Sequence, residues 1–500
     1  MQRLGSQDAS FLSIEDDKNH MHIGSVGIFE GPPPEYKDMC RMVGAKLPLV
    51  PRYRQRVKFV PLALGRPVWV DDEHFSLSYH LRHSALPHPG SEEQLRNLVG
   101  RVMSQQLDRN RPLWEMWIIE GLEQGRWALI SKTHHAMVDG VSGADLLRVV
   151  LDAERDPRPV AEAEWRPEPE PAGAELVAET VARRAMSPFE NLVAIGRHPR
   201  ALGGHALTAV RGLAAMRGLA VPTPASSLNG PIGPHRRWAW ARSSLGDVKT
   251  VRQAHGGTVN DVVLATITNG FRELLLSRGE SVDRSVRTLV PVSVRAPTEK
   301  GTYNNRVSAM FASLPVGIED PLERLASIEE QMQHLKESNQ AVAGEVLTSL
   351  SGYAPAMLLS LGIRAASALP QRNLNTVTTN VPGPRCTLYA AGRRLLEAFP
   401  YVPLAGTVRI GVAIFSYDGG LNYGVTADYD TAADVEVLSQ AIERGMAELV
   451  ELSAPTSARA SAGRSRAAAG NGGRKAKASN RGRKAARNGG RKARTRASSA

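Results

Sequence analysis

The chain carries two adjacent histidines in the run Thr133-His134-His135-Ala136-Met137-Val138-Asp139-Gly140. Imidazole titrates near neutral pH, so a neutral histidine can take a proton from an alcohol and return it to a leaving group. The apolar run 127–130 ahead of the pair has strand character, and 141–151 behind it has the pattern of a helix with a buried face. A histidine leaving a strand, with an acid and a glycine turning the chain into a helix, is one way to hold a base in place. His135 is the expected general base, with His134 supporting. Asp139 braces the loop, and Gly140 allows the backbone angle such a turn needs. Metal binding is a competing use of the pair. Successive strand side chains point to opposite faces, so one ion would not collect both, and no cysteine or third histidine lies nearby; no metal is expected. A third use is structural, with both rings hydrogen-bonded in a core. The pair alone does not separate that from the base.

Further motifs follow in order. Pro112-Leu113-Trp114 precedes an apolar strand pattern at 116–119, and Asn260-Asp261 lies in Thr258-Val259-Asn260-Asp261-Val262-Val263-Leu264-Ala265. Then come Pro291-Val292-Ser293-Val294-Arg295, Asn380-Val381-Pro382-Gly383-Pro384 and Ser416-Tyr417-Asp418-Gly419-Gly420. The opening has Asp8-Ala9-Ser10-Phe11-Leu12 and His20-Met21-His22-Ile23-Gly24. His134-His135-x-x-x-Asp139-Gly140 matches the HHxxxDG motif of acyltransferases with the chloramphenicol acetyltransferase and condensation-domain fold. The ordered set resembles the bacterial wax ester synthase/diacylglycerol acyltransferase family, over residues 1 to about 453.

The resemblance implies an α/β fold of two subdomains, each a sheet covered by helices, with the active site in a channel between them. It implies acyl transfer from long-chain acyl-CoA to the hydroxyl of diacylglycerol, giving triacylglycerol, with acyl-CoA as co-substrate and no cofactor. It assigns the base to the second histidine, His135. It places Pro112, Leu113 and Trp114 near the acyl-CoA or acceptor pocket. Asn260 and Asp261 fall in the first turn of a helix, where free N–H groups and the dipole suit an oxyanion or a CoA phosphate as substrate-binding residues. Packing is an equal reading of the Pro-Leu-Trp loop, and an ordinary first-turn pair of the Asn-Asp. Arg295 is expected to pair with Asp139 across the subdomains, because a buried carboxylate needs a cationic partner.

Composition sets the limits. The 500 residues carry a net charge of +12, but 14 Lys/Arg and no acid lie in 455–500, so residues 1–454 carry −2. The expected organisation is an N-terminal subdomain at 1–175, a linker or crossover at 176–235, a C-terminal subdomain at 236–454 and a disordered basic tail at 455–500. In the tail Gly-Arg-Lys-Ala recurs at 473–476, 482–485 and 490–493, without aromatics to build a core. Its cations suit an anionic membrane or lipid-body surface, or nucleic acid. Residues 191–246 hold seven arginines and no acid, a second candidate for lipid contact beside an interdomain crossover. Two cysteines make no disulfide framework and fit a reducing compartment. With no signal pattern and no apolar run of membrane-spanning length, a cytoplasmic protein peripheral to a lipid surface is expected.

Local chemistry predicts the elements. Strands are expected at 22–29, 116–119, 288–294, 306–314 and 375–380, with a hairpin of 409–415 and 421–427 about Asp418-Gly419. Helices are expected at 38–47, 92–106, 321–341 and 432–452, and from Val259 to about Leu276 with Thr258 as its N-cap. Asp71, Asp72 and Glu73 read as a solvated turn, and His20 and His22 as structural or surface residues. Two rivals stand beside triacylglycerol synthesis: wax ester synthesis from long-chain alcohols, and a non-catalytic lipid-body or nucleic-acid-associated protein.

Overall fold

A computed structural model of the chain describes residues 2–137, 151–157, 165–183, 226–293, 307–337 and 374–454. Two six-stranded mixed sheets carry the molecule. The first has the order β12-β13-β2-β7-β6-β5 and the second β10-β9-β11-β14-β15-β8. In the first sheet these are β2 (His22–Phe29), β5 (Leu81–Ala85), β6 (Trp114–Glu120), β7 (Trp127–His134), β12 (Tyr389–Ala390) and β13 (Arg393–Tyr401). In the second they are β8 (Arg236–Ser244), β9 (Val286–Ser293), β10 (Val307–Leu314), β11 (Thr376–Pro382), β14 (Ile410–Tyr417) and β15 (Gly420–Asp428). The short β1 (Gln2–Arg3), β3 (Gln55–Lys58) and β4 (Val68–Asp71) form a third, three-stranded sheet.

Residues 389–401 lie inside the span expected as the second subdomain, yet they belong to the first sheet. β13 pairs antiparallel with β2, Phe399 opposite Val26. The chain thus crosses back between the sheets. The crossing is tight: Asn422 donates through Nδ2 to the Ala398 carbonyl at 3.0 Å. A side chain at Gly424 would run into the Pro400 carbonyl, so glycine is needed there. Trp240 stacks on Phe399 with ring centroids 4.4 Å apart.

The helices follow their sequence signals. The helix Val259–Ser277 starts at Thr258, whose hydroxyl accepts from the Asp261 N–H while Asp261 accepts from the Thr258 N–H, a capping box. The helix Glu92–Met103 has the same device in Ser91 and Gln94. Its C-terminal end is met by Lys132, a fully buried residue of β7. The ammonium donates to the Val102 carbonyl at 3.0 Å and to that of Gln105, where the helix dipole favours a cation. Burial lowers its pKa to about 8. At the β14–β15 turn, Asp418 and Gly419 have φ of 44° and 85°. Positive φ at both positions is what an Asp-Gly hairpin turn provides.

Two local expectations change. Asp72 is 6 % exposed and not part of a solvated turn; its carboxylate accepts from the His74 N–H at 3.0 Å. The arginines at the end of the basic stretch are also engaged. Arg236 is buried, and the guanidinium of Arg237 lies 4.0 Å from the Tyr429 ring. Arg242 donates to Glu397 at 2.6 Å and to Glu92 at 2.9 Å. Arg236, through Ser104 and Lys18, and Arg242 serve the seam between the sheets, whereas Arg237 stays with its own sheet. The other four lie outside the described residues.

Candidate active site

His134 ends β7, and His135 begins a 3₁₀ turn, His135–Met137. The backbone pins the pair from both neighbours: the His134 N–H donates to the Leu113 carbonyl at 2.9 Å, and the His135 N–H to that of Met21 at 2.8 Å. Strand pairing sets His134 opposite His22.

The two rings then meet different surroundings. His134 is fully buried. Its Nδ1 accepts from the Ala136 N–H at 3.0 Å, which assigns the proton to Nε2. That nitrogen stands 3.4 Å from Oε2 of Glu15. The other oxygen of Glu15 is 3.2 Å from Nε2 of the buried His22, and Arg109 donates to Oε2 through Nε at 3.1 Å and Nη2 at 2.8 Å. Burial pushes the Glu15 carboxyl up, but contact with His134 and His22 outweighs it and holds the group well below the usual carboxylate range. His22 is kept neutral mainly by burial, which lowers it to about 3. His20 stacks on His22 with centroids 5.6 Å apart, so both early histidines are structural.

His135 is only partly buried and faces Phe11, with ring centroids 4.0 Å apart and planes 31° from parallel. Phe11 lies on the helix Ser6–Ile14, which gives the Asp8-Ala9-Ser10-Phe11-Leu12 stretch a task. Burial is the main cause that lowers the His135 pKa to about 4. At neutral pH the imidazole is therefore uncharged, the form that can accept a proton. Glu15 is the partner that sequence reasoning missed. It sits one residue past a helix and far along the chain from His134, and no local spacing announces it.

The remaining expected residues separate. Pro112, Leu113 and Trp114 are buried. Trp114 donates from Nε1 to the Tyr53 carbonyl at 2.8 Å and stacks on His80 at 4.6 Å. This loop packs the core and lends the Leu113 carbonyl to the histidine strand. The Asp261 carboxylate is occupied with Thr258, accepting from its N–H at 2.8 Å and its hydroxyl at 2.7 Å. Asn260 instead lines a cavity of about 530 Å³. The walls of that cavity come from the ends of β11 and β14, the helix Leu245–His255 and the start of the helix Val259–Ser277. Over it Gly383 lies so close to Ser416 and Phe415 that no side chain fits, which accounts for the glycine of Asn380-Val381-Pro382-Gly383-Pro384. Asp139, Gly140, Arg295, the helix expected over 141–151 and the tail lie outside the described residues, and with them the expected Asp139–Arg295 pair. Among the described residues no group of three or more His, Cys, Asp or Glu side chains is placed to hold a metal ion. No described helix is long and apolar enough to cross a membrane.

Two sheets joined by a crossing strand, with a histidine pair at the end of one central strand, define an α/β acyltransferase of the two-subdomain, chloramphenicol acetyltransferase-like architecture. A calcium-dependent antibiotic synthetase condensation domain shares that fold, with a TM-score of 0.55 and 18% identity over 90% of this chain and 96% of its own. The models of the wax ester synthase/diacylglycerol acyltransferase catalytic domain and the WS/DGAT C-terminal domain match residues 4–263 and 303–450. The chain belongs to this family of acyltransferases. It is 37% identical over 456 residues to the "Probable diacyglycerol O-acyltransferase tgs1" of Mycobacterium tuberculosis, covering 91% of this chain and 96% of that one. The wax ester synthase/diacylglycerol acyltransferase of Marinobacter aquaeolei superposes with a TM-score of 0.65 and 27% identity, over 90% of this chain and 99% of that one.

Proposed function

We propose that this acyltransferase moves a fatty acyl group from acyl-CoA to the free hydroxyl of diacylglycerol, with His135 as the general base. The observation that carries the assignment is the contrast within the pair. His134 is fully buried, with Nδ1 accepting from Ala136 and Nε2 standing 3.4 Å from the Glu15 carboxylate, whereas His135 is partly exposed and uncharged at neutral pH. Nε2 or Nδ1 of His135 takes the hydroxyl proton as the oxygen attacks the thioester carbonyl. The tetrahedral oxyanion collapses, the C–S bond breaks, and the imidazolium returns the proton to the CoA thiolate. No acyl-enzyme is required. The oxyanion needs a donor, and backbone N–H groups are the proposed ones. The lipid acceptor places the work at a membrane or lipid-body surface, with the basic tail as a tether to anionic head groups.

The test is transfer of labelled acyl-CoA to diacylglycerol or to hexadecanol, wild type against His135→Ala. Loss of both products on His135→Ala with the protein folded supports the base. Retained turnover overturns it. A product only with hexadecanol moves the acceptor to fatty alcohols and leaves the base in place.

A further inference from the structure

We infer that the cavity beside Asn260 is the subsite for the phosphates of the acyl donor, gripped by Arg252, Lys336 and Arg385. This rests on acyl-CoA being the donor, as proposed above.

Charge is the first support. Three cations and one acid, Asp418, line the cavity. The acid is already engaged, accepting from the Thr387 hydroxyl at 2.8 Å. All three cations are exposed, and none is ion-paired with a described acid. Arg252 uses only Nε, on the Gly257 carbonyl at 2.9 Å, so its two Nη groups remain for a ligand. Elsewhere on this molecule arginines find carboxylates: Arg242 takes Glu397, Arg278 takes Asp434 and Arg109 takes Glu15. Three cations around one hollow, none with a described acid as partner, are a different arrangement, and they suit a polyanion.

Shape is the second support. About 530 Å³ falls within the ordinary range for a small-molecule site. Leu245, Val259 and Leu421 add apolar wall, suited to the pantetheine arm that carries the thioester away from its phosphates. Position is the third. Tyr417, another lining residue, accepts from the Leu388 N–H at 2.8 Å and donates to the Leu395 carbonyl at 3.1 Å. It thereby ties the cavity wall to the strand that crosses into the histidine sheet. A donor seated here lies at the seam between the sheets.

The experiment uses the full chain and the variants Arg252→Gln, Lys336→Gln and Arg385→Gln, singly and together. All three positions are exposed, so folding should survive. Donors are palmitoyl-CoA, palmitoyl-dephospho-CoA and palmitoyl-N-acetylcysteamine, which has no phosphate; binding of free CoA is measured by calorimetry. The triple variant should raise KM for palmitoyl-CoA roughly tenfold, the scale of a few charge-assisted contacts near water. Its kcat should stay within about twofold, since the lost contacts serve ground and transition states alike. KM for the phosphate-free thioester should not move. Removing the 3′-phosphate should weaken wild type more than the triple variant. An unchanged KM for palmitoyl-CoA, or an equal rise with the phosphate-free thioester, overturns the subsite and leaves the reaction standing. Wild type that binds CoA through these residues but transfers no acyl group leaves the subsite standing and removes the reaction. Phospholipid head groups are the other source of phosphate. If the triple variant loses binding to phosphatidylglycerol vesicles and keeps its affinity for CoA, the inference falls.

Discussion

The histidine end of the first sheet and the cavity of the second treat charge in opposite ways. Around His134, charged and titratable groups are buried and engaged with one another: Glu15 touches Arg109, His22 and His134 within 2.8 to 3.4 Å. Around Asn260, the cations are exposed and have no described acid as partner. The first arrangement fixes the His134 ring, which holds the turn carrying His135 through the Ala136 N–H. The second leaves charge for an arriving anion. Burial makes a group costly to disturb, whereas exposed cations contribute little to stability. The two regions should therefore fail differently when cut.

The largest effect belongs to His135. His135→Ala should lower kcat by about 10² to 10⁴ with little change in KM for acyl-CoA. Steady-state kinetics on folded protein checks it. A loss confined to KM would move His135 to the binding side of the comparison.

Glu15→Gln comes next. Removing one member of a buried charged group costs about 3–5 kcal/mol, and Arg109, being more exposed, should relax toward water, so the low end is expected. The melting temperature should fall by several degrees. Turnover should drop by less than in His135→Ala, because the amide still places an oxygen near His134. Unchanged stability would show that the cluster is not the brace described here. His134→Ala should lose less turnover than His135→Ala, and equal losses would erase the distinction within the pair.

The buried histidines make a third difference, read through pH. His22 is lowered to about 3, and His80 and His135 to about 4, in each case mainly by burial. The unfolded chain takes these protons near pH 6.5, before the folded one does. Their contribution to stability is thus complete above about 6.5 and is lost as pH falls toward 4 and below. Turnover by a neutral His135 should stay level from pH 6 to 8 and fall only as pH approaches 4. A rate that halves near pH 6.5 would mean an exposed, unperturbed base.

These contrasts also mark what the sequence could express. Thr258 as N-cap, the strand at 22–29 and the turn at Asp418-Gly419 were legible, because each depends on neighbours within a few residues. His135 was legible as a chemical type, and the resemblance implies the base role proposed for it. Strand β13 was not. Its pattern is local, but its partner β2 stands at the other end of the chain, so nothing near 393–401 says which sheet it joins. Glu15 was hidden for the same reason: one acid after a helix looks like any other until folding sets His22, Arg109 and His134 around it. Arg242 misled in the opposite direction, since a basic stretch read alone does not reveal the Glu397 and Glu92 that neutralise it.

The smallest effect should come from the largest change in charge. Residues 455–500 hold 14 cations, far more than the three around the cavity, and none of the family's motifs. If acyl-CoA were drawn by total positive charge, truncation after Ala454 would raise its KM more than the three glutamine substitutions do. The described lining of the cavity runs from Leu245 to Leu421, so removing residues 455–500 should change binding there little. The truncated chain should keep kcat and KM on detergent-dispersed substrate within about twofold. It should bind anionic vesicles less well, with the deficit largest at low salt, because each Lys or Arg near such a surface contributes about 1 kcal/mol. The same salt series on a DNA duplex shows which polyanion the tail prefers. A KM that rises on truncation as far as in the triple variant would mean that charge acts here as a general field, and the contrast between a wired site and a local anion cradle would be lost.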